Sequence, residues 1–215
     1  MCPRKYLIKL QDTAINKLHR LKRLLTNTLV TSSNSETESC LTYVTVETLN
    51  TWSNFSRSFY LSCTLQPKTV SGIRVTTSLS TANFNDAIGR AILLVTPNKT
   101  PNSQGIWYRR DEPTWHDSTV LTRVCTHVRC SNINNIVDGF SGGQKFLLHL
   151  PTFRNFYGHR NQKTEYAARQ IAPTYGISAT LRPSNILCEF PIGGTSSLLL
   201  QWINEIEFTI EYLCY

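Results

Sequence analysis

The chain has 215 residues, of which 40% are hydrophobic and 17% charged, and its net charge is +8 at neutral pH. A body of this length buries a core without disulfide or metal staples. No apolar run approaches the ~20 residues of a membrane span, which excludes a transmembrane protein of helical type.

The positive charge is concentrated at one end. Residues 1–25 hold Arg4, Lys5, Lys9, Lys17, Arg20, Lys22 and Arg23 against the single acid Asp12, whereas the rest of the chain has fifteen bases and thirteen acids. Such asymmetry points to a polyanion, either nucleic acid or an anionic membrane surface. Leu7, Leu10, Ala14, Leu18, Leu21 and Leu25 recur every three or four residues, so residues 5–25 read as an amphipathic helix. The polar stretch TNTLVTSSNSETES that follows reads as a flexible tether. Together they predict a mobile basic arm, the alternative being a helix docked on the body. The seven bases of the arm are the candidate nucleic-acid-binding residues, since cations on such a helix neutralise phosphates without reading sequence. HRLKRLL, residues 19–25, could double as a nuclear-import signal.

From Leu41 onward the hydrophobic pattern looks two-fold. LTYVTVETL (41–49), FSRSFYLSCTL (55–65), VSGIRVTTSL (70–79), GRAILLVTP (89–97), STVLTRVCTHVRC (118–130), QKFLLHL (144–150) and YGISATLRPSNILCEF (175–190) are rich in β-branched and aromatic residues. In WINEIEFTIEYL, Asn204, Ile206, Phe208, Ile210 and Tyr212 alternate with three glutamates. The prediction is an all-β fold of eight or nine strands, an antiparallel sandwich or barrel. Two long connections, 96–117 and 151–173, are candidate functional loops.

Individual motifs carry less weight. Gly139-Phe-Ser141-Gly-Gly143 matches a nucleophile-elbow pattern, with His149 and His159 downstream, but an expected strand follows it where a helix is required. Cys125, His127 and Cys130 have no second ligand pair, so buried thiols are the preferred reading over zinc. The seven cysteines are odd in number and irregularly spaced, as in a reduced intracellular protein. Asp111, Glu112 and Asp117 could hold a structural calcium between subunits, although Arg109 and Arg110 stand beside them. No other cofactor or metal is expected. Trp107, Tyr108, Arg109, Arg110 and Trp115 suit a subunit interface, or fold back over the body.

The arrangement of KYLIKLQDTAINKLHRLKRLL, a polar tether, GRAILLVTPN and NEIEFTIEYL resembles the single jelly-roll capsid (coat) proteins of small icosahedral viruses, of the satellite tobacco necrosis virus type. The resemblance implies a basic arm over 1–25, a tether over 26–40 and a shell domain over 41–215 that is an eight-stranded antiparallel jelly-roll sandwich. It further implies a structural, non-enzymatic protein of the virion, made in the host cytoplasm or nucleus. Such a protein assembles with itself into a closed shell around single-stranded RNA or DNA. The competing reading is a non-capsid β-sandwich binding module with a basic targeting helix.

Overall fold

The structure is a computed structural model and describes residues 1–31, 34–79 and 83–215. Among the described residues there are nine α-helices and no sheet; pairing of β type is confined to isolated bridges at Tyr6–Lys68 and Lys68–Arg74. The helices are α1 (Leu7–Thr31), α2 (Asn34–Cys63), α3 (Phe84–Val95), α4 (Ser118–His127), α5 (Ile133–Ser141), α6 (Lys145–His159), α7 (Gln162–Arg169), α8 (Pro183–Cys188) and α9 (Leu198–Cys214). The all-β sandwich is therefore overturned. With it fall the jelly-roll capsid protein and the β-sandwich binding module, since neither can be built without paired strands.

The reason lies in which residues the helices bury. Thr45, Thr48, Ser56 and Ser58 of α2 are buried beside Leu41, Val44, Trp52, Phe55 and Phe59, which completes a helical face that the aliphatic residues alone leave broken. Other hydroxyls of α2, and that of Ser56, are satisfied by their own helix. Thr51 donates to the Glu47 carbonyl at 2.6 Å, Ser56 to Trp52 at 3.1 Å and Ser62 to Ser58 at 2.6 Å. In α9, Ile206 and Ile210 are four residues apart and fit either period. The fully buried Trp202 and Leu213, with Phe208 62% exposed, select the helical one. Segments 41–49 and 55–63 thus lie in α2, 89–95 in α3, 118–127 in α4, 145–150 in α6 and 203–212 in α9.

The chain forms two compact units. The first comprises Met1–Ala14, Trp52–Gly142 and Thr209–Tyr215. Its core gathers Trp52, Phe55, Phe59 and Tyr60 with Ile88, Ile92, Leu121, Val124, Ile136 and Ile210. The N-terminal segment is pinned: Leu7 N–H donates to the Lys68 carbonyl at 2.8 Å, and the Ser58 hydroxyl to the Met1 carbonyl at 2.9 Å. Asp117 caps α4 by accepting from the Thr119 amide at 2.8 Å.

The second unit comprises Ile15–Thr51 and Gly143–Phe208. Leu18, Leu21 and Leu25 of α1 pack in its core with Leu41, Val44, Phe146, Leu150, Phe153, Trp202 and Ile206. The predicted α1 stripe is therefore buried, three of its residues in each unit, and this helix is no mobile arm. Nor is the predicted tether unstructured where described, because 26–31 continue α1 and 34–39 begin α2. Serines 32 and 33 of that tether lie outside the described residues, as do residues 80–82.

Candidate functional site

The richest exposed chemistry lies at the end of α6, in the second unit. Phe146, Leu150, Phe153 and Tyr157 form its buried face. Arg154, Asn155, Gly158 and His159 lie on the opposite, solvent-facing side. Asn155 and His159 are neighbours one turn apart, and Arg154 precedes Gly158 by the same step. A Cβ added at Gly158 would meet nothing within 4 Å, so the helix has a side-chain-free notch between Arg154 and His159. An Arg154 Nη1–H donates to Asn155 Oδ1 at 3.3 Å, which ties the guanidinium to the amide beside it.

The chain then turns sharply. Arg160 adopts a left-handed conformation at φ 42°, an uncommon state for a residue with a side chain. Its guanidinium donates to the Thr42 hydroxyl at 3.0 Å, lies 4.0 Å from Glu38 and sits 5.9 Å from the Tyr157 ring. Those contacts hold the turn and fix His159 as the last residue of α6. Asn161 opens α7 with a capping box: its side chain accepts from the Thr164 amide at 3.0 Å, and the Thr164 hydroxyl receives the Asn161 N–H at 3.3 Å. A guanidinium, an amide and an imidazole around open backbone can hold a phosphate and move a proton beside it.

The residues singled out from sequence are not gathered there. Arg4, Lys5 and Lys9 are exposed in the first unit; Arg20 and Arg23 are exposed in the second. Lys17 is paired with Glu47 at 2.6 Å and Lys22 with Glu207, so these two are engaged within the fold. The Lys17 ammonium, the Asn50 amide and the nearby charge hold the Glu47 carboxyl below its ordinary value.

The tryptophan loop folds back. Trp115 is buried and stacks on Tyr60 at 5.5 Å; Trp107 covers Gly89 so closely that a Cβ there would lie 2.2 Å from its indole nitrogen. Glu112, 5% exposed, accepts two bonds from Arg57 at 2.6 and 2.8 Å and one from the Trp115 indole at 2.8 Å, with Arg109 at 3.3 Å. Tyr108 and Arg110, at 4.8 Å from each other, project to solvent with Arg109, whereas Trp107 and Trp115 do not.

The motif candidates resolve equally plainly. Ser141 ends α5, where its hydroxyl donates to the Asp138 carbonyl at 2.7 Å, in a shallow 420 Å³ depression lined by no histidine. Asp111 pairs with Lys99 at 2.7 Å and Asp117 caps α4, so the three loop acids have separate partners rather than a shared cation. Among the described residues no group of three His, Cys, Asp or Glu side chains is arranged to hold a metal ion. His127 is exposed, while Cys125 and Cys130 are buried with Cys63 in a cluster of hydrogen-bonded thiols. The bonds to Cys125 and Cys130, then burial, raise the Cys63 thiol well above its ordinary range.

No family model, curated protein or solved structure matches this chain. The α6 site was missed because 151–173 read as a loop after a strand stopped at Pro151, whereas Pro151 lies inside the helix. The available signal was the spacing Arg154, Asn155, His159, which becomes a surface only once the segment is helical. Among the described residues, no helix is long and apolar enough to cross a membrane.

Proposed function

We propose that this protein binds single-stranded RNA and cleaves it by internal phosphoryl transfer at the end of α6. The reading rests on one observation: Arg154, Asn155 and His159 stand exposed around the open notch at Gly158. A polar trio of this kind on a helix packed by four buried aromatic and aliphatic residues has a rigid support, as a catalytic set requires.

RNA is the substrate whose chemistry asks least of such a site, because the ribose 2′-hydroxyl is a built-in nucleophile. Its oxygen bonds to the adjacent phosphorus as the bond from phosphorus to the 5′-oxygen breaks, leaving a 2′,3′-cyclic phosphate and a 5′-hydroxyl. His159 moves a proton at one of those two oxygens. Arg154 stabilises the charge that builds on the non-bridging oxygens. Asn155 hydrogen-bonds the phosphate or the imidazole and limits their relative motion.

The test is a fluorophore–quencher RNA oligonucleotide incubated with the full chain, beside a DNA oligonucleotide of the same sequence. Cleavage of the RNA alone, with a cyclic phosphate end detected by mass spectrometry, is the expected result. His159→Ala should lower the rate by about 10²–10⁴-fold. An intact RNA, or a rate indifferent to His159→Ala, overturns the proposal.

A further inference from the structure

The second unit also contains a cleft of about 930 Å³ beside the α6 site. Its lining includes Phe156 from α6, Glu165 and Arg169 from α7, Arg182 and Asn185 at α8, and Glu38 from α2. On the helix surface Phe156 and His159 are three residues apart and therefore adjacent. Helical geometry places Phe156 on one side of His159, and Asn155 and Gly158 on the other. The imidazole thus stands on a ridge between the cleft and the notch.

The lining is too polar for a lipid or an apolar peptide face. It also has a specific unmet need. Arg169 donates through Nη2 to Glu165, but its Nε–H is buried without a hydrogen-bond partner. Buried donors of this kind are costly to leave unsatisfied. Arg182, exposed at the rim, forms no ion pair among the described residues. Arg182 is thus the lining guanidinium open to an anion, while that of Arg169 is held by Glu165. The half-buried ring of Phe156 calls for a flat partner, and Glu38, Glu165 and Asn185 for an edge that both donates and accepts. One molecule with all three properties is a nucleoside monophosphate.

We infer that this cleft is the nucleotide pocket of the α6 site: it takes one ribonucleotide of the strand, with the base against Phe156 and the phosphate on Arg182. The inference rests on the RNA reading above and assigns that reading its substrate-positioning surface. A nucleotide held here would set its neighbouring phosphodiester on the ridge at His159, and the base contact would add affinity to the bound strand and to its transition state alike.

The four ribonucleoside 5′-monophosphates, and inorganic phosphate as the bare anion, are titrated into the full-length protein by calorimetry. At least one nucleotide should bind, and more tightly than phosphate. Arg182→Ala and Phe156→Leu should each weaken it by about tenfold or more, with unchanged circular dichroism, while His159→Ala leaves it intact. In the cleavage assay the same two cleft variants should raise KM more than they lower kcat. No nucleotide binding, phosphate binding as tight as nucleotide, or affinity indifferent to both cleft variants overturns the pocket, even if RNA is cleaved. Nucleotide binding with these sensitivities but no cleavage overturns the chemistry assigned to His159 and leaves the pocket standing.

Discussion

At Gly158 the interests of the fold and of the site diverge. A glycine inside a helix is about 0.5–1 kcal/mol less stable than alanine there, because it gives up more freedom on folding. Nothing within 4 Å would obstruct a methyl group, so packing does not explain the residue. Gly158→Ala should therefore stabilise the protein by about 0.4–1 kcal/mol in a denaturant titration. If the notch admits phosphate, the same substitution slows RNA cleavage; an equal or faster rate would show that the notch is not used. Glu112 poses a different question at the same scale. Its carboxylate is nearly enclosed and depends on Arg57 for two of its hydrogen bonds. Arg57→Ala leaves that charge without its main partner and should cost about 3–5 kcal/mol. Replacing both residues, as Arg57→Met with Glu112→Gln, should recover part of the loss in a double-mutant cycle.

Among the elements, α1 carries the sharpest contrast between what was readable and what was not. Its leucine stripe specified a helix and its buried face without help from the rest of the chain, because 3.6-residue spacing is unambiguous over six positions. Its mobility was misread, since a stripe does not announce what covers it. Leu18 is fully buried, so Leu18→Ala should cost about 2–5 kcal/mol, and deletion of 1–25 should abolish cooperative unfolding rather than release an intact body. The helices from α2 onward were hidden for another reason. Thr45, Thr48 and Ser56 look polar in sequence yet sit inside, and a pattern that counts them as outside sees alternation. The site followed the fold: Arg154, Asn155 and His159 are scattered in a loop and contiguous on a helix.

The packing of α6 against α9 adds a pH dependence. Tyr175 accepts from the Trp202 indole at 2.9 Å and pairs with His149 Nδ1 at 2.8 Å, with the Lys145 ammonium 5.3 Å from its ring. Burial, then Lys145, holds the His149 imidazole below its ordinary value of 6.5. The unfolded chain therefore binds that proton more readily, and stability falls as pH drops below about 6.5. Glu205 has the opposite sense: burial raises its carboxyl above 4.5, against a backbone hydrogen bond from Phe146 and the charge of Lys145. Its ionisation costs the fold as pH rises from 4.5 through the raised value. Glu205→Gln should thus raise Tm at pH 8 and leave it nearly unchanged at pH 4.5. A variant that melts lower at pH 8 would mean that the carboxylate is held by more than its burial opposes.

On the scale of the whole molecule, the net charge of +8 acquires a location once the internal ion pairs are accounted for. Glu47, Glu207, Asp111 and Glu165 each hold a basic partner and Glu112 holds both Arg57 and Arg109, which leaves a surplus of bases elsewhere on the chain. Within the second unit that surplus includes Arg20 and Arg23, exposed on α1, together with Arg154 and Arg182. Surface cations away from the reacting atoms contribute to binding by releasing counterions from the strand, and this contribution is read in the salt dependence rather than in the rate of the chemical step. Each phosphate engaged on a single strand adds about 0.7 to the slope of log K against log salt. If Arg20 and Arg23 each engage one, Arg20→Glu with Arg23→Glu should flatten the slope by about 1.4, and lower affinity for every RNA sequence alike. The rate at saturating RNA should be unchanged. A slope equal to that of the unmodified chain would remove α1 from the RNA-binding surface and leave recognition to α6 and its cleft alone.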